Sequence, residues 1–204
     1  MIDTAAQQII DAGRWIDAQG WCPATGGNFS VRLGPERALI TASGCHKGYL
    51  SAEQLLQVGL DGTPEDSLLR PSAETLLHTR LYALDTNIGA VLHTHSVAST
   101  VLSRLQPGDW LSISGYEMQK SLSGNHTHDA SIRIAILDNA QDMQALAAEL
   151  SQRWQAEPLA WGFLVRGHGL YTWGRDMSEA RRHLEGLEFL FACELEMRRL
   201  GAGV

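Results

Sequence analysis

Two short apolar runs that each lead into histidine constrain this chain more than any other feature. Gly89-Ala90-Val91-Leu92 passes into His93-Thr94-His95, and Ala160-Trp161-Gly162-Phe163-Leu164-Val165 passes into Arg166-Gly167-His168-Gly169. Both runs read as strands. A strand projects residues i and i+2 from the same face, so His93 and His95 point one way. If the two strand ends meet, three neutral imidazoles close on one divalent metal and leave a coordination position open. An open position separates a catalytic zinc from a structural one. A single histidine in a protein is usually just hydrogen-bonded or solvated, so the argument rests on the three together.

The rest of the chain alternates helix and strand patterns. Residues 3–19 form an amphipathic helix with Ile9, Ile10, Ala12, Gly13 and Ile16 inward, stopped by Gly20. Strands are expected at 29–33, 38–41, 57–60, 89–94, 132–137 and 160–166. Asp61-Gly62 reads as a hairpin turn, and Ser51-Ala52-Glu53-Gln54 as a capping box opening a short helix. Helices are expected from Pro71-Ser72 to about Leu84, from about Val97, over 140–154, and from Ser178 to about Leu200. No repeat, linker or low-complexity segment interrupts this pattern. The expectation is one α/β domain over residues 1–204, with helices packed on a central sheet.

Charge and composition remove several classes of function. The 204 residues carry a net charge of −7 without any block of Lys or Arg, which argues against nucleic-acid binding. No uncharged apolar stretch reaches the roughly 18 residues a membrane span needs. The N-terminal stretch carries Asp3 and Asp11 where a signal peptide carries bases. Cys22, Cys45 and Cys193 show no C-x-x-C spacing and cannot all pair, so reduced thiols in the cytoplasm are expected.

Three short turns have the composition of an anion cradle: Gly26-Gly27-Asn28, Ser43-Gly44, and Ser72 at a helix start. Glycines let backbone N–H groups approach an anion, and a helix N-terminus adds partial positive charge. Lys47, and with it His46, supplies a formal charge nearby. Each turn alone is an ordinary turn; together with a metal site they indicate a phosphorylated substrate. Two carboxylates compete for the acid/base role: Glu74, in the first turn of the helix beginning at Pro71-Ser72, and Glu117, in Tyr116-Glu117-Met118-Gln119-Lys120. A second H-x-H, His126-Thr127-His128, lies among Gly124, Asn125 and Asp129 and reads as a loop outside the metal site. Met118, Trp110 and Trp173 are candidate apolar walls of a substrate pocket, although core packing accounts for them equally well.

In this order, the pieces resemble the class II aldolase/adducin family. The stretches that carry the resemblance are Thr25-Gly26-Gly27-Asn28-Phe29-Ser30, Ile40-Thr41-Ala42-Ser43-Gly44, Pro71-Ser72-Ala73-Glu74, Ala90-Val91-Leu92-His93-Thr94-His95 and Leu164-Val165-Arg166-Gly167-His168-Gly169-Leu170, covering roughly residues 5–198. The resemblance implies a three-layer fold about a largely antiparallel sheet, one zinc per subunit on His93, His95 and His168, and a homotetramer with active sites at subunit interfaces. It also implies a sugar-phosphate substrate held by Gly27, Asn28, Ser43, Gly44, Lys47 and Ser72. Glu117-Met118-Gln119-Lys120 resembles the E-M-x-K segment of the family's dehydratases, in which this Glu is the acid/base. Ala73 departs from the serine common in the family's aldolases, and no tyrosine follows Tyr171. The expected activity is therefore a zinc-dependent hydro-lyase of methionine salvage. It would convert 5-methylthioribulose 1-phosphate to 5-methylthio-2,3-dioxopentyl 1-phosphate and water. The alternatives are a zinc aldolase cleaving a ketose 1-phosphate, and a non-catalytic adducin-like interaction module. Glu74 corresponds to the base of the aldolases and is a second acid/base, a substrate orienter or a resting zinc ligand.

Overall fold

The computed structural model describes residues 2–65 and 67–201. Its strands are β1 (Asn28–Arg32), β2 (Arg37–Thr41), β3 (Leu55–Gly59), β4 (Ala90–Thr94), β5 (Trp110–Ile113), β6 (Ile132–Leu137), β7 (Gly162–Val165) and β8 (Gly169–Gly174). Its helices are α1 (Ile2–Ala18), α2 (Thr75–Leu84), α3 (Val97–Leu105), α4 (Met143–Ala156) and α5 (Met177–Arg199). The strands form one sheet in the order β3-β2-β1-β4-β8-β7-β6-β5. Every neighbouring pair is antiparallel except β6 and β7.

Side-chain alternation along the strands builds two apolar layers. Phe29, Val31, Leu39, Ala90, Leu92, Ile134, Ile136 and Leu164 pack with α1, α3 and α5 on one face. Ala38, Ile40, Val91, Ala135, Leu137, Phe163 and Tyr171 pack with α2 and α4 on the other. The result is the three-layer arrangement, with central strands buried on both faces.

Two strands, β5 and β8, carry no clear strand signature in the sequence. β8 (Gly-Leu-Tyr-Thr-Trp-Gly) is buried along its whole length, so it lacks the polar–apolar alternation that marks a half-exposed strand. β5 is a short edge strand of four residues. The helix expected from Pro71-Ser72 begins instead at Thr75, with Glu74 at its cap position. Pro71 is drawn into an antiparallel bridge with Ala42, which holds the preceding residues extended. The capping box at Ser51–Gln54 is present, but it opens only a single 3-10 turn.

Candidate active site

The antiparallel register sets Thr94 of β4 against Leu170 of β8. This brings the end of β4 beside the tight turn between β7 and β8, where His168 sits. The two histidine-tipped strand ends therefore do meet. His93 Nε2 lies 2.8 Å from His95 Nε2 and 3.4 Å from His168 Nε2. A fourth donor comes from outside these strands: Glu74 Oε1 is 2.9 Å from His168 Nε2, and Oε2 is 3.6 Å from His93 Nε2. One donor atom from each of the four residues falls within 4.8 Å of the others.

The tautomer of His93 follows from its partner. Its Nδ1 lies 2.9 Å from the Leu170 carbonyl, which only accepts, so Nδ1 carries the proton and Nε2 offers a lone pair. Burial, and then the neighbouring His93 and His168, push the His95 imidazole down to about 3, so it is neutral at physiological pH. Burial favours a protonated Glu74 carboxyl, but the close contact with His168 Nε2, with His93 nearby, outweighs it and holds the carboxyl well below the usual carboxylate range. Three crowded imidazole nitrogens with a carboxylate among them need positive charge at their centre. The donor set of three nitrogens and one oxygen matches what zinc and related divalent ions take. Tyr171 stacks on the His93 ring at 3.9 Å and 11°, fixing its plane.

The three glycine- and serine-containing turns are also gathered here. Asn28 Nδ2 donates to Ser72 Oγ (3.1 Å) and to Glu74 Oε2. Ser43 N–H donates to Arg70 O, and Lys47 Nζ donates to Thr25 O (2.9 Å) and Cys45 O (2.6 Å). Lys47 is buried, so within the chain it serves as a strut between the first two turns and does not stand at the cavity wall. His46 faces away from the cluster; its Nδ1 accepts from Gly48 N–H and its ring lies on Tyr49.

Sequence reasoning missed the support beneath Asn28. His78 Nε2 donates to Asn28 Oδ1, its Nδ1 accepts from Ser30 Oγ (2.7 Å), and Tyr82 Oη donates to Ser30 Oγ (2.8 Å). Burial lowers His78 to about 3, so it is a neutral relay with one fixed donor and one fixed acceptor. The signal was available: Glu74, His78 and Tyr82 recur at i, i+4, i+8 on one helix face, and Ser30 is a polar residue at a buried position of β1.

A cavity of about 510 Å³ opens over the cluster, lined by Ala73, Glu74, His95, Thr100, Asn139, Gln141, Met143, Gly167 and His168. Met143 is its apolar wall. Met118, Trp110 and Trp173 lie at other concavities, so none of the suggested apolar walls borders this one. Glu117 is also elsewhere: it is exposed beside Met118 and Phe189, accepts from Lys120 Nζ at 2.6 Å, and lies 3.4 Å from His128 Nδ1. Within one chain the cluster therefore gathers Glu74 and not Glu117. His128 accompanies Glu117 and takes no part in the cluster.

A family model described as "Class II Aldolase and Adducin N-terminal domain" matches residues 7–195. The methylthioribulose-1-phosphate dehydratase of Pseudomonas fluorescens is 53% identical over 193 residues, covering 95% of this chain and 93% of the relative. The enzyme of the same name from Serratia proteamaculans is 56% identical over 194 residues, covering 95% of both. Among solved structures, the L-fuculose-1-phosphate aldolase of Thermus thermophilus superposes with a TM-score of 0.79 at 26% identity, covering 100% of both chains. YgbL of Klebsiella pneumoniae superposes with a TM-score of 0.82 at 23% identity, covering 97% of this chain and 91% of that one.

Proposed function

The chain belongs to the class II aldolase and adducin family, and on that premise we propose that it is a hydro-lyase acting on methylthioribulose 1-phosphate. The observation that carries this reading is the Glu74/His93/His95/His168 cluster in a chain more than half identical, over 95% of its length, to dehydratases of that name. The cluster also sets the chain apart from a purely structural module, which needs no such donors.

The metal is zinc, one per subunit, held by His93, His95 and His168 with Glu74 as a further donor. When bound, the ion supplies Lewis-acid polarisation of the substrate's carbonyl and hydroxyl oxygens. The chain's own groups do the rest. Gly27, Asn28, Ser43, Gly44 and Ser72 hold the phosphate through backbone N–H groups and hydroxyls, and buried Lys47 places its positive charge beneath the first two turns. Glu117 is the acid/base: it takes the C3 proton and delivers a proton to the departing C4 hydroxyl. Water leaves, and the enol tautomerises to the 2,3-diketone.

Because Glu117 projects outward beside exposed Met118 and Phe189, it acts on the cluster of a neighbouring copy. The working form is therefore an oligomer, which we take to be a homotetramer. Free Cys22, Cys45 and Cys193 suit a cytoplasmic setting. The test is to incubate the zinc-loaded protein with methylthioribulose 1-phosphate and follow products by mass spectrometry. Loss of one water, abolished by a chelator, supports the dehydratase. Appearance of dihydroxyacetone phosphate and an aldehyde would replace it with an aldolase.

A further inference from the structure

We propose that Glu188 is a positioning residue for the metal site, acting through Thr94 and Ser96 on either side of His95. The inference rests on the reading of the three histidines as metal ligands.

Glu188 lies in the middle of α5 and is 2% exposed. Its Oε1 accepts from Thr94 Oγ1 at 3.0 Å and its Oε2 accepts from Ser96 Oγ. Among the described residues, no Lys, Arg or His forms an ion pair with it. A buried carboxylate without a cation is costly, and its neighbours on the same helix, Leu184, Leu187 and Phe191, show what the position would otherwise hold. Burial accordingly pushes its carboxyl up to about 7.

What the carboxylate secures is the backbone that presents the imidazoles. Alternation along β4 turns Thr94 toward α5 while His93 points to the opposite face, where Glu74 waits. Thr94 and Ser96 are thus fixed from behind the sheet, and the peptide carrying His95 between them cannot rotate. The effect reaches the third histidine as well. Ser96 Oγ accepts from Ser99 N–H (3.0 Å) and so caps α3. One turn later, Thr100 Oγ1 donates to the His168 carbonyl at 3.0 Å. A single carboxylate therefore sets the start of α3, and through it the positions of both His95 and His168. Losing a partner hydrogen-bonded directly to a metal ligand typically weakens metal binding about 10- to 100-fold. Glu188 acts one step further out, through the backbone on either side of His95, so its loss belongs at the low end of that range.

The experiment is chelator competition for zinc on the full-length protein, comparing wild type with Glu188→Leu, Glu188→Gln and Thr94→Val, with thermal stability recorded alongside. Glu188→Leu is expected to weaken zinc binding roughly tenfold. Glu188→Gln, which retains one acceptor oxygen, falls between it and wild type, and Thr94→Val loses part of the affinity. In steady state kcat drops while KM changes little, because the phosphate cradle is untouched. A folded Glu188→Leu that holds zinc as tightly as wild type would overturn the proposal, even if its melting temperature moved. Should Glu188→Leu not fold, wild-type zinc affinity in Thr94→Val together with Glu188→Gln overturns it equally. A wild-type protein that binds no zinc removes the metal reading itself, a failure distinct from the other two.

Discussion

The Glu74 carboxylate and the His168 imidazole meet at 2.9 Å, joining the start of α2 to the turn between β7 and β8 at the mouth of the cavity. Because the carboxylate stands among the imidazole nitrogens, it is placed to be a fourth donor to the ion. Glu74→Gln keeps its shape and removes its charge. Zinc affinity should fall by about tenfold, while the variant stays folded, since Asn28 can still donate to the amide oxygen. Chelator competition measures this directly. An affinity equal to wild type would restrict Glu74 to contacts with the substrate.

Glu117 carries the opposite expectation. It is remote from the donors of its own chain, so Glu117→Gln should leave zinc content at wild-type level and lower kcat by roughly 10²-fold or more. His168→Ala should lose both zinc and turnover. If Glu117 serves a neighbouring copy, co-refolding these two inactive variants rebuilds sites that have an intact cluster from one chain and Glu117 from another. Partial recovery of activity in the mixture is the expected result. Full inactivity of every mixing ratio would place Glu117 and the histidines in the same chain's site.

The histidines were legible in the sequence because the strand period and two apolar runs fix where His93, His95 and His168 point. Their convergence needed only that two strand ends meet, and β8, invisible to pattern reading, is the strand that makes them meet. The cradle turns were legible one at a time through their glycines and serines. What holds them together was only partly legible: Lys47 and the Glu74/His78/Tyr82 spacing stand in the sequence, but that Lys47 is a buried strut and that His78 reaches Asn28 and Ser30 depend on tertiary contact. Glu188 was the least visible. A glutamate in a long helix reads as solvent-facing, and only the packing of α5 against β4 shows that it faces inward.

Glu188 also predicts a pH dependence of stability. Its folded value is pushed up to about 7 from an ordinary value of 4.5, so between these limits the folded protein binds a proton that the unfolded chain does not. The associated stability is fully present below pH 4.5, declines as pH rises through this window, and is lost above about 7. Glu188→Gln cannot titrate and should lack that decline. Urea denaturation of both proteins at pH 4.5, 6 and 7.5 checks it: the difference between them should change by no more than about 3 kcal/mol across the series. Parallel profiles would show that the Glu188 carboxyl keeps its ordinary value of 4.5 in the folded protein.

The turn that carries Asn28 depends on Gly27. Gly27 has φ +76°, a conformation that side chains disfavour, and a methyl group there would stand 2.5 Å from the His93 carbonyl oxygen and 2.6 Å from Cys22 Sγ. Neither neighbour can yield easily: the carbonyl belongs to a central strand and the thiol is buried. Gly27→Ala should therefore cost more than the roughly 1 kcal/mol of the backbone term alone, on the order of 3 kcal/mol once the clash is included. Its functional signature separates strain from mere instability. Displacing the turn moves Asn28, which hydrogen-bonds both Ser72 and Glu74, so KM for the phosphorylated substrate should rise in whatever fraction remains folded. Gly20 also has positive φ, at +74°, but nothing lies within 4 Å of its added methyl. Gly20→Ala is therefore the control: it should show the smaller stability loss and an unchanged KM. Equal losses in the two variants would mean that the close approach of the Gly27 turn to β4 contributes nothing to holding the site.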